Sequence, residues 1–260
     1  MLKVEIQSGV ARVTLDRPEV RNAFDDALIR ELQNCFQSLS TDKAVRAVVL
    51  AGNGPAFCAG ADLNWMKRMA GYGYAENLAD AQALATMLAT LERLPQPTIA
   101  RVHGSAFAGG TGLVAACDIA VGTPEAKFCF SEAKLGLSPA TISPYVIRAI
   151  GERMARRYFL SAEVFGAEEG LRIGLLSALV PGADLDVAID DLLKHLLAGG
   201  PEAHVKIKDL IRTVTGRQVD DALSAETAKR IAEIRVSAEG REGIASFLEK
   251  RKASWCSPKS

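Results

Sequence analysis

The stretch GSAFAGGTGL, residues 104–113, has glycine at positions 104, 109, 110 and 112, and the apolar run VAACDIAV follows it. Gly109 and Gly110 suit a tight turn at the start of a helix. Gly112, however, falls inside the first turn of that helix, where glycine costs about 1 kcal/mol relative to alanine. The missing side chain at position 112 therefore needs a reason.

A second stretch of the same design lies 50 residues earlier in the chain, as GPAFCAGADL over residues 54–63. The two stretches share Gly, Ala, Phe, Gly and Leu at equivalent places. Each follows a short apolar run typical of a buried strand, RAVVLAG at 46–52 and TIARV at 98–102. Two such strand–turn–helix units indicate a spiral of repeated β-β-α modules. The alternative is that two Gly/Ala-rich turns match by chance.

The rest of the chain divides into a mixed part and a helical part. Alternating residues predict strands at 3–7 and 10–15, and further strands are predicted at 118–122 and 126–130. Beyond about residue 145 the strand signals fade. We therefore predict an α/β core domain over residues 1–195 that carries the site, and a helical region over 196–260 for packing and oligomerisation.

Three helices are predicted within the core domain from the spacing of apolar residues. The first is capped by Asp25, and the second covers about 62–70. A longer third helix is ended by LPQP. The first and third are each predicted to bury one apolar stripe. The stripes are Leu28, Leu32, Phe36 and Leu39 on the first helix, and Leu78, Leu84, Leu88 and Leu91 on the third.

Composition excludes several classes of function. Lys+Arg and Asp+Glu number 31 each, without long blocks, so neither nucleic acid nor a membrane surface is an expected partner. The N-terminus does not resemble a signal peptide and no stretch is long and apolar enough to span a bilayer, which together with five scattered cysteines predicts a cytoplasmic protein. The histidines, at 103, 195 and 204, lack metal-ligand spacing, and His103 is interpreted as structural.

Both glycine-rich turns place free backbone N–H groups at the start of a helix. Those groups have no partner within the helix, and the helix dipole favours negative charge there. Two such turns directed at one point would form an oxyanion hole with two donors. The alternative for each turn taken alone is close packing of a strand on a helix.

In combination and order, several motifs resemble the enoyl-CoA hydratase/isomerase (crotonase) superfamily. They are VTLDRPEVRNAF, AFCAGADL, VHGSAFAGGTGLVAACDIAV, FCFSEAKLGLSP and, at the end, REGIASFLEKRKASW. The resemblance covers nearly the whole chain. It implies an α/β crotonase (ClpP-like) spiral of β-β-α units with a C-terminal α-helical trimerisation region, assembled as a homotrimer or a dimer of trimers.

The resemblance also implies the ligand and the residues that hold it. The backbone N–H groups of Ala61 and Gly109 would hold the thioester carbonyl of an acyl-CoA. No metal and no cofactor is implied, because coenzyme A enters as part of the substrate. The implied CoA contacts are Val20, Arg21, Ala59, Gly60, Asp62, Leu63 and Lys250, with Arg251 as the alternative to Lys250. Asp62 also suits a cap that positions its turn.

The acid–base residues of the family are two glutamates, of which this chain keeps one. Alignment of the motifs places the second at Glu132, between FCF and KLGL, and this apolar context predicts a raised pKa. The first would fall at position 112, where the chain has glycine. Neither Asp118 nor Glu125 is spaced to replace it.

Three functions follow as alternatives. The segment KLGLSPATISPYVIRAIGERMARRYFL resembles bacterial hydratases of methylglutaconyl-CoA and isohexenylglutaconyl-CoA. This predicts an enoyl-CoA hydratase of a branched or carboxylated substrate, whose own carboxylate would fill the room at Gly112 while the N–H of Ala140 helps to place the water. A single glutamate instead favours a Δ3,Δ2-enoyl-CoA isomerase. Loss of one glutamate also suits a non-catalytic acyl-CoA-binding protein.

Overall fold

The computed structural model describes residues 1–256, which form two compact units, Met1–Leu192 and a second that begins at Leu193. Nine strands lie in the first unit. They are β1 (Leu2–Gln7), β2 (Val10–Leu15), β3 (Ala47–Gly52), β4 (Thr98–Val102), β5 (Ser105–Phe107), β6 (Ile119–Gly122), β7 (Lys127–Cys129), β8 (Phe165–Gly166) and β9 (Ala178–Leu179).

Six helices belong to the first unit, a seventh crosses the boundary, and three belong to the second unit. They are α1 (Asp26–Thr41), α2 (Leu63–Met69), α3 (Tyr74–Glu92), α4 (Gly109–Ala116), α5 (Ser143–Ser161), α6 (Ala167–Arg172), α7 (Leu185–Ala198), α8 (Pro201–Val214), α9 (Asp221–Val236) and α10 (Ala238–Leu248). Within the part of the chain that the structure describes, no helix is both long and apolar enough to cross a bilayer.

The strands form two sheets. The larger has the order β1-β2-β3-β4-β6-β9, in which only β1 and β2 pair antiparallel. The smaller has the order β5-β7-β8, with β5 parallel to β7. Every residue of β3 is buried, as the continuous apolar run of its sequence predicts for a parallel strand covered on both faces.

The predicted strands and helices of the first 130 residues are confirmed, with one correction to a helix face. Asp25 caps α1 by accepting from the N–H of Leu28 at 2.7 Å, and the predicted stripe of α1 is buried. On α3, the buried residues are Met87, Leu88 and Leu91, whereas Leu78 is 41% exposed. The prediction of a buried apolar stripe on α3 is therefore confirmed only for the C-terminal half of the helix.

The expectation that strand structure ends near residue 145 is wrong in two places. The two-residue strands β8 and β9 join the edges of the two sheets, β8 beside β7 and β9 beside β6. Strands of two residues are too short to give a period-2 pattern, so the sequence carried no signal for them.

The second unit consists of helices and a short C-terminal turn over Ser254–Cys256. The carboxylate of Glu239, near the start of α10, accepts the N–H groups of Glu202 and Ala203 in the first turn of α8, at 2.9 and 2.7 Å. A side chain from one helix thus satisfies the unpaired donors of another. The predicted role of this region in oligomerisation stays a prediction.

Candidate active site

The two glycine-rich turns lie side by side because their backbones are bonded to each other. Cys58 pairs with Ala106 in a parallel bridge, in which Cys58 donates to the carbonyl of Ser105 and Phe107 donates to the carbonyl of Cys58, at 3.1 and 2.9 Å. Gly110 packs onto this bridge so closely that a Cβ there would lie 2.4 Å from the carbonyl oxygen of Cys58. Only glycine permits that approach, which is why the entrance to α4 carries so little side chain.

The two proposed donors are left free by the surrounding bonds. Phe24 pairs with Ala61 by donating to the carbonyl of Gly60 at 2.6 Å and accepting from the N–H of Asp62 at 2.7 Å. Alternate residues of an extended strand bond on opposite sides, so the N–H of Ala61 points away from Phe24. Gly109 is the first residue of α4. Within residues 1–256, neither the Ala61 nor the Gly109 N–H donates to a protein acceptor.

Ala108, which precedes α4, holds a strained backbone conformation with φ +47° and ψ −117°. Its N–H donates to the carbonyl of Cys129 at 2.8 Å, which ties the turn to the end of β7. A non-glycine residue at such angles costs of the order of 1–3 kcal/mol and persists where neighbouring contacts enforce it. This strained residue directly precedes Gly109, whose N–H is one of the two proposed donors.

Glu132 lies three residues beyond Cys129, in a short 3-10 helix that runs from Ser131 to Leu135. Its side chain is half-buried, and its Oε2 atom is buried without a hydrogen-bond partner. Burial raises the pKa of Glu132 above its usual range, as the apolar context predicted. A carboxyl group that lacks a partner and holds its proton more tightly than in water is suited to general acid–base work.

This raised pKa has a consequence for stability that can be measured. The folded chain binds the Glu132 proton more tightly than the unfolded chain does, so Glu132 lowers the free energy of unfolding as the pH rises through its folded pKa. Glutamine cannot ionise. We expect Glu132→Gln to melt at a higher temperature than the wild type at pH 8. The difference is expected to vanish at about pH 3, where Glu132 is protonated in both the folded and the unfolded chain. Calorimetry at both pH values tests this, and an equal difference at each would contradict it.

The room expected at Gly112 does not exist, because the side chain of Ile142 fills it. A Cβ built on Gly112 would lie 2.3 Å from Cγ2 of Ile142, and both residues are buried. Ile142 directly precedes α5. The place of the family's first glutamate is therefore occupied by an apolar side chain, and the prediction that a substrate carboxylate enters the space beside Gly112 is wrong.

The Gly112–Ile142 contact leads to a prediction about folding. Gly112→Ala is expected to lower the free energy of unfolding by about 1–3 kcal/mol, the usual cost of overpacking a core. Addition of Ile142→Leu, which removes the Cγ2 branch that the new Cβ would meet while keeping the side-chain volume, is expected to restore part of that loss. Urea unfolding of the single and double variants measures it. Independent, additive effects of the two substitutions would contradict the contact.

Two further predicted residues have hydrogen bonds within the chain. The N–H of Ala140 donates to the carbonyl of Ser138 at 2.8 Å, and its part in placing a water stays a prediction. Asp62 caps α2 by accepting from Asn64 and Trp65, and its own N–H and carbonyl are also bonded within the chain. The predicted capping role of Asp62 is confirmed, and its CoA contact stays a prediction.

Of the other predicted CoA contacts, the structure brings two segments together. Ala59 donates to the carbonyl of Arg21 at 3.0 Å, so the Val20–Arg21 loop lies beside the Ala59–Gly60 turn. Leu63 follows that turn and is 73% exposed. Lys250 belongs to the second unit, and its CoA contact stays a prediction.

Two remaining side chains are held by contacts within the chain. The alternative phosphate contact, Arg251, forms ion pairs with Glu242 and Glu249 at 2.7 and 2.6 Å. His103 contacts the carbonyl of Gly54 through Nε2 at 2.8 Å, which agrees with a structural role. In the chain from Met1 to Cys256, no group of three or more His, Cys, Asp or Glu side chains is arranged to hold a metal.

The residues that hold the Ala61 turn were missed by the analysis of the sequence. The Arg17 guanidinium pairs with Asp25 at 2.9 Å and with Asp62 at 3.3 Å, and donates to the carbonyl of Ala23 at 2.8 Å. The Asn22 amide is fully buried and donates to the carbonyls of Ala56 and Phe57 at 2.9 and 3.2 Å. Their signal was the motif DRPEVRNAF, in which charged and amide residues lie on both sides of Val20.

Comparison with known proteins shows the family to which the chain belongs. A solved enoyl-CoA hydratase from Shewanella pealeana is 41% identical, with a TM-score of 0.95 and coverage of 98% of this chain and 95% of that one. The solved structure of Pseudomonas aeruginosa AtuE is 35% identical, with a TM-score of 0.94 and coverage of 98% and 99%. The hydroxycinnamoyl-CoA hydratase-lyase of Pseudomonas fluorescens is 32% identical over 255 residues, which are 95% of this chain and 92% of that one. A sequence model of the enoyl-CoA hydratase/isomerase family matches residues 5–258. The chain, with its crotonase fold and its two bonded turns, belongs to the enoyl-CoA hydratase/isomerase family.

Proposed function

We propose that this enzyme adds water reversibly to the double bond of a 2-enoyl-CoA thioester. The observation that carries the proposal is the buried Oε2 atom of Glu132, which has no hydrogen-bond partner. Glu132 lies on the segment that follows β7, and the end of β7 is hydrogen-bonded to Ala108, the strained residue before Gly109. Glu132 supplies one acid–base group and Ala61 and Gly109 supply two free N–H donors, and the proposal assigns the reaction to these groups.

Each group has a defined part in the reaction. The thioester oxygen accepts hydrogen bonds from the N–H groups of Ala61 and Gly109, which stabilise the enolate; one such donor is worth about 2.7–4 kcal/mol in the transition state. The Glu132 carboxylate takes a proton from water as the water oxygen bonds to C3. Glu132 then returns that proton to C2 as the enolate collapses, so that the carboxylate is regenerated.

The substrate class that we propose is a branched or carboxylated 2-enoyl-CoA, with methylglutaconyl-CoA as the first candidate. Its support is the resemblance of the segment from Lys134 to Leu160 to hydratases of such substrates. Replacement of the absent glutamate by a substrate carboxylate gives this substrate class no support, because Ile142 packs on Gly112. The proposed partner is this thioester alone, and the proposed assembly is a homotrimer or a dimer of trimers, which light scattering measures.

A Δ3,Δ2-enoyl-CoA isomerase is the second candidate, and one observation favours it. Because Ile142 closes the position of the first glutamate, Glu132 is the one carboxyl group that the family pattern supplies. One carboxylate suffices for isomerisation. It removes a proton from C2 of a 3-enoyl thioester and returns it at C4, through a dienolate held by the same two N–H donors.

Incubation with a panel of straight, branched and carboxylated 2-enoyl- and 3-enoyl-CoA thioesters, followed by mass spectrometry, separates the candidates. Product heavier by one water is the result expected for the hydratase. Unchanged mass with a moved double bond, seen by NMR, would establish the isomerase instead. Binding of the thioesters without conversion of any of them would overturn both and leave a non-catalytic acyl-CoA-binding protein.

A further inference from the structure

We propose that Phe24 is a positioning residue that sets the spacing between the two N–H donors. The inference rests on the proposed function, because it takes the N–H groups of Ala61 and Gly109 as the oxyanion hole. Phe24 lies just before α1, is 2% exposed, and belongs to the core cluster. Phe24 contacts both turns, one through its backbone and the other through its ring.

The backbone of Phe24 fixes the first donor. Its bonds with the carbonyl of Gly60 and the N–H of Asp62, at 2.6 and 2.7 Å, enclose Ala61 on both sides. A residue held by both neighbours cannot rotate its own peptide groups independently. The direction of the Ala61 N–H therefore follows the position of the Phe24 backbone.

The ring of Phe24 fixes the second donor. A Cβ built on Gly109 would lie 2.8 and 3.0 Å from Cε2 and Cδ2 of that ring, so the ring edge rests against the Cα of Gly109. The aromatic side chain thus sits between its own backbone, which holds Ala61, and the first residue of α4. Its width acts as a rigid spacer between the two turns.

The segment around Phe24 is itself held in place by Arg17, as the backbone of a residue that sets a spacing must be. Arg17 bonds to the carbonyl of Ala23 and to the carboxylate of Asp25, the two neighbours of Phe24, and also to Asp62, the neighbour of Ala61. These contacts keep the Phe24 backbone from moving when the ring is changed. A smaller side chain would therefore act chiefly on the Gly109 side.

Replacement of Phe24 by leucine is expected to lower kcat by about 10- to 100-fold with KM little changed, because a displacement of about 1 Å in a catalytic group costs of that order. The matched control is Phe36→Leu, which shortens an equally buried phenylalanine of α1 that takes no part in either contact. Phe24→Met, whose unbranched side chain reaches further from the backbone than that of leucine, is expected to lose less and serves if the leucine variant does not fold. Equal kcat values for Phe24→Leu and Phe36→Leu would overturn the inference.

A spectroscopic measurement separates positioning from a loss of general stability. Crotonyl-CoA labelled with 13C at its carbonyl is bound to Glu132→Gln, which is expected to convert the thioester about 10²- to 10⁴-fold more slowly than the wild type. The C=O stretch is then recorded by infrared difference before conversion. A shift to lower frequency is expected in Glu132→Gln, and a smaller shift in Phe24→Leu/Glu132→Gln. Equal shifts overturn the role of Phe24 alone. Absence of any shift in Glu132→Gln overturns the oxyanion hole, and with it the proposed function.

Discussion

Replacement of Glu132 by glutamine is expected to lower kcat by about 10²- to 10⁴-fold while the affinity for the CoA thioester stays close to that of the wild type. The amide keeps the shape of the side chain but cannot take a proton from water or give one to C2. The proposed oxyanion donors and CoA contacts are backbone groups and other side chains, so binding is not expected to depend on the carboxylate. Steady-state kinetics with the converted substrate, together with calorimetric binding of a saturated acyl-CoA, measures both quantities.

The matched control for this variant is Glu125→Gln. Glu125 is exposed and lies in the loop before β7, on the same stretch of chain as Glu132. It is expected to keep wild-type turnover, since an exposed carboxylate there has no proposed role. If Glu132→Gln retained more than about a tenth of the wild-type kcat, Glu132 would not be the principal acid–base group.

Gly110→Ala is expected to lower kcat by about 10²- to 10³-fold, the cost of losing one donor of an oxyanion hole. The added methyl group would lie 2.4 Å from the carbonyl oxygen of Cys58, which is backbone and cannot turn aside as a side chain would. The two turns must therefore separate, and Gly109 moves with them. We also expect a loss of about 1–3 kcal/mol in the free energy of unfolding. Kinetics and urea unfolding on the same preparation measure both effects.

Gly166→Ala is the control for the introduction of a methyl group at a glycine. Gly166 precedes α6, its φ is −90°, and no atom lies within 4 Å of the added Cβ. Activity and stability are expected to stay at the wild-type level. A Gly110→Ala enzyme with normal kcat would show that the spacing of the two turns does not govern the reaction.

Much of the fold could be predicted from the sequence because its signals are local. The continuous apolar runs predicted β3 and β4, and the spacing of Leu28, Leu32 and Phe36 predicted the buried face of α1. The exposure of Leu78 could not be predicted in this way. Helical spacing predicts which residues share a face, but the length of that face that a neighbouring element covers depends on tertiary packing.

The candidate site likewise contains residues that could be predicted from the sequence and residues that could not. Glu132 and the two glycine turns were predicted because each lies within a short motif, and burial then raises the pKa of Glu132 as expected. The partner of Gly112 could not be found, because Ile142 comes from a distant part of the chain and its approach depends on how α4 packs against α5. The position of Phe24 between the two turns likewise depends on tertiary packing and could not be predicted from the sequence.

The contact between Gly112 and Ile142 restricts the order in which mutations could give this enzyme a second carboxylate. A glutamate gained first at position 112 meets a side chain that leaves no space for even its Cβ, so that intermediate is overpacked. Reduction of Ile142 to alanine first leaves a cavity, at a cost of about 2–5 kcal/mol. Either single step is expected to lower the free energy of unfolding. The effects of substitutions at positions 112 and 142 are therefore expected to be non-additive, as they are for residues in contact.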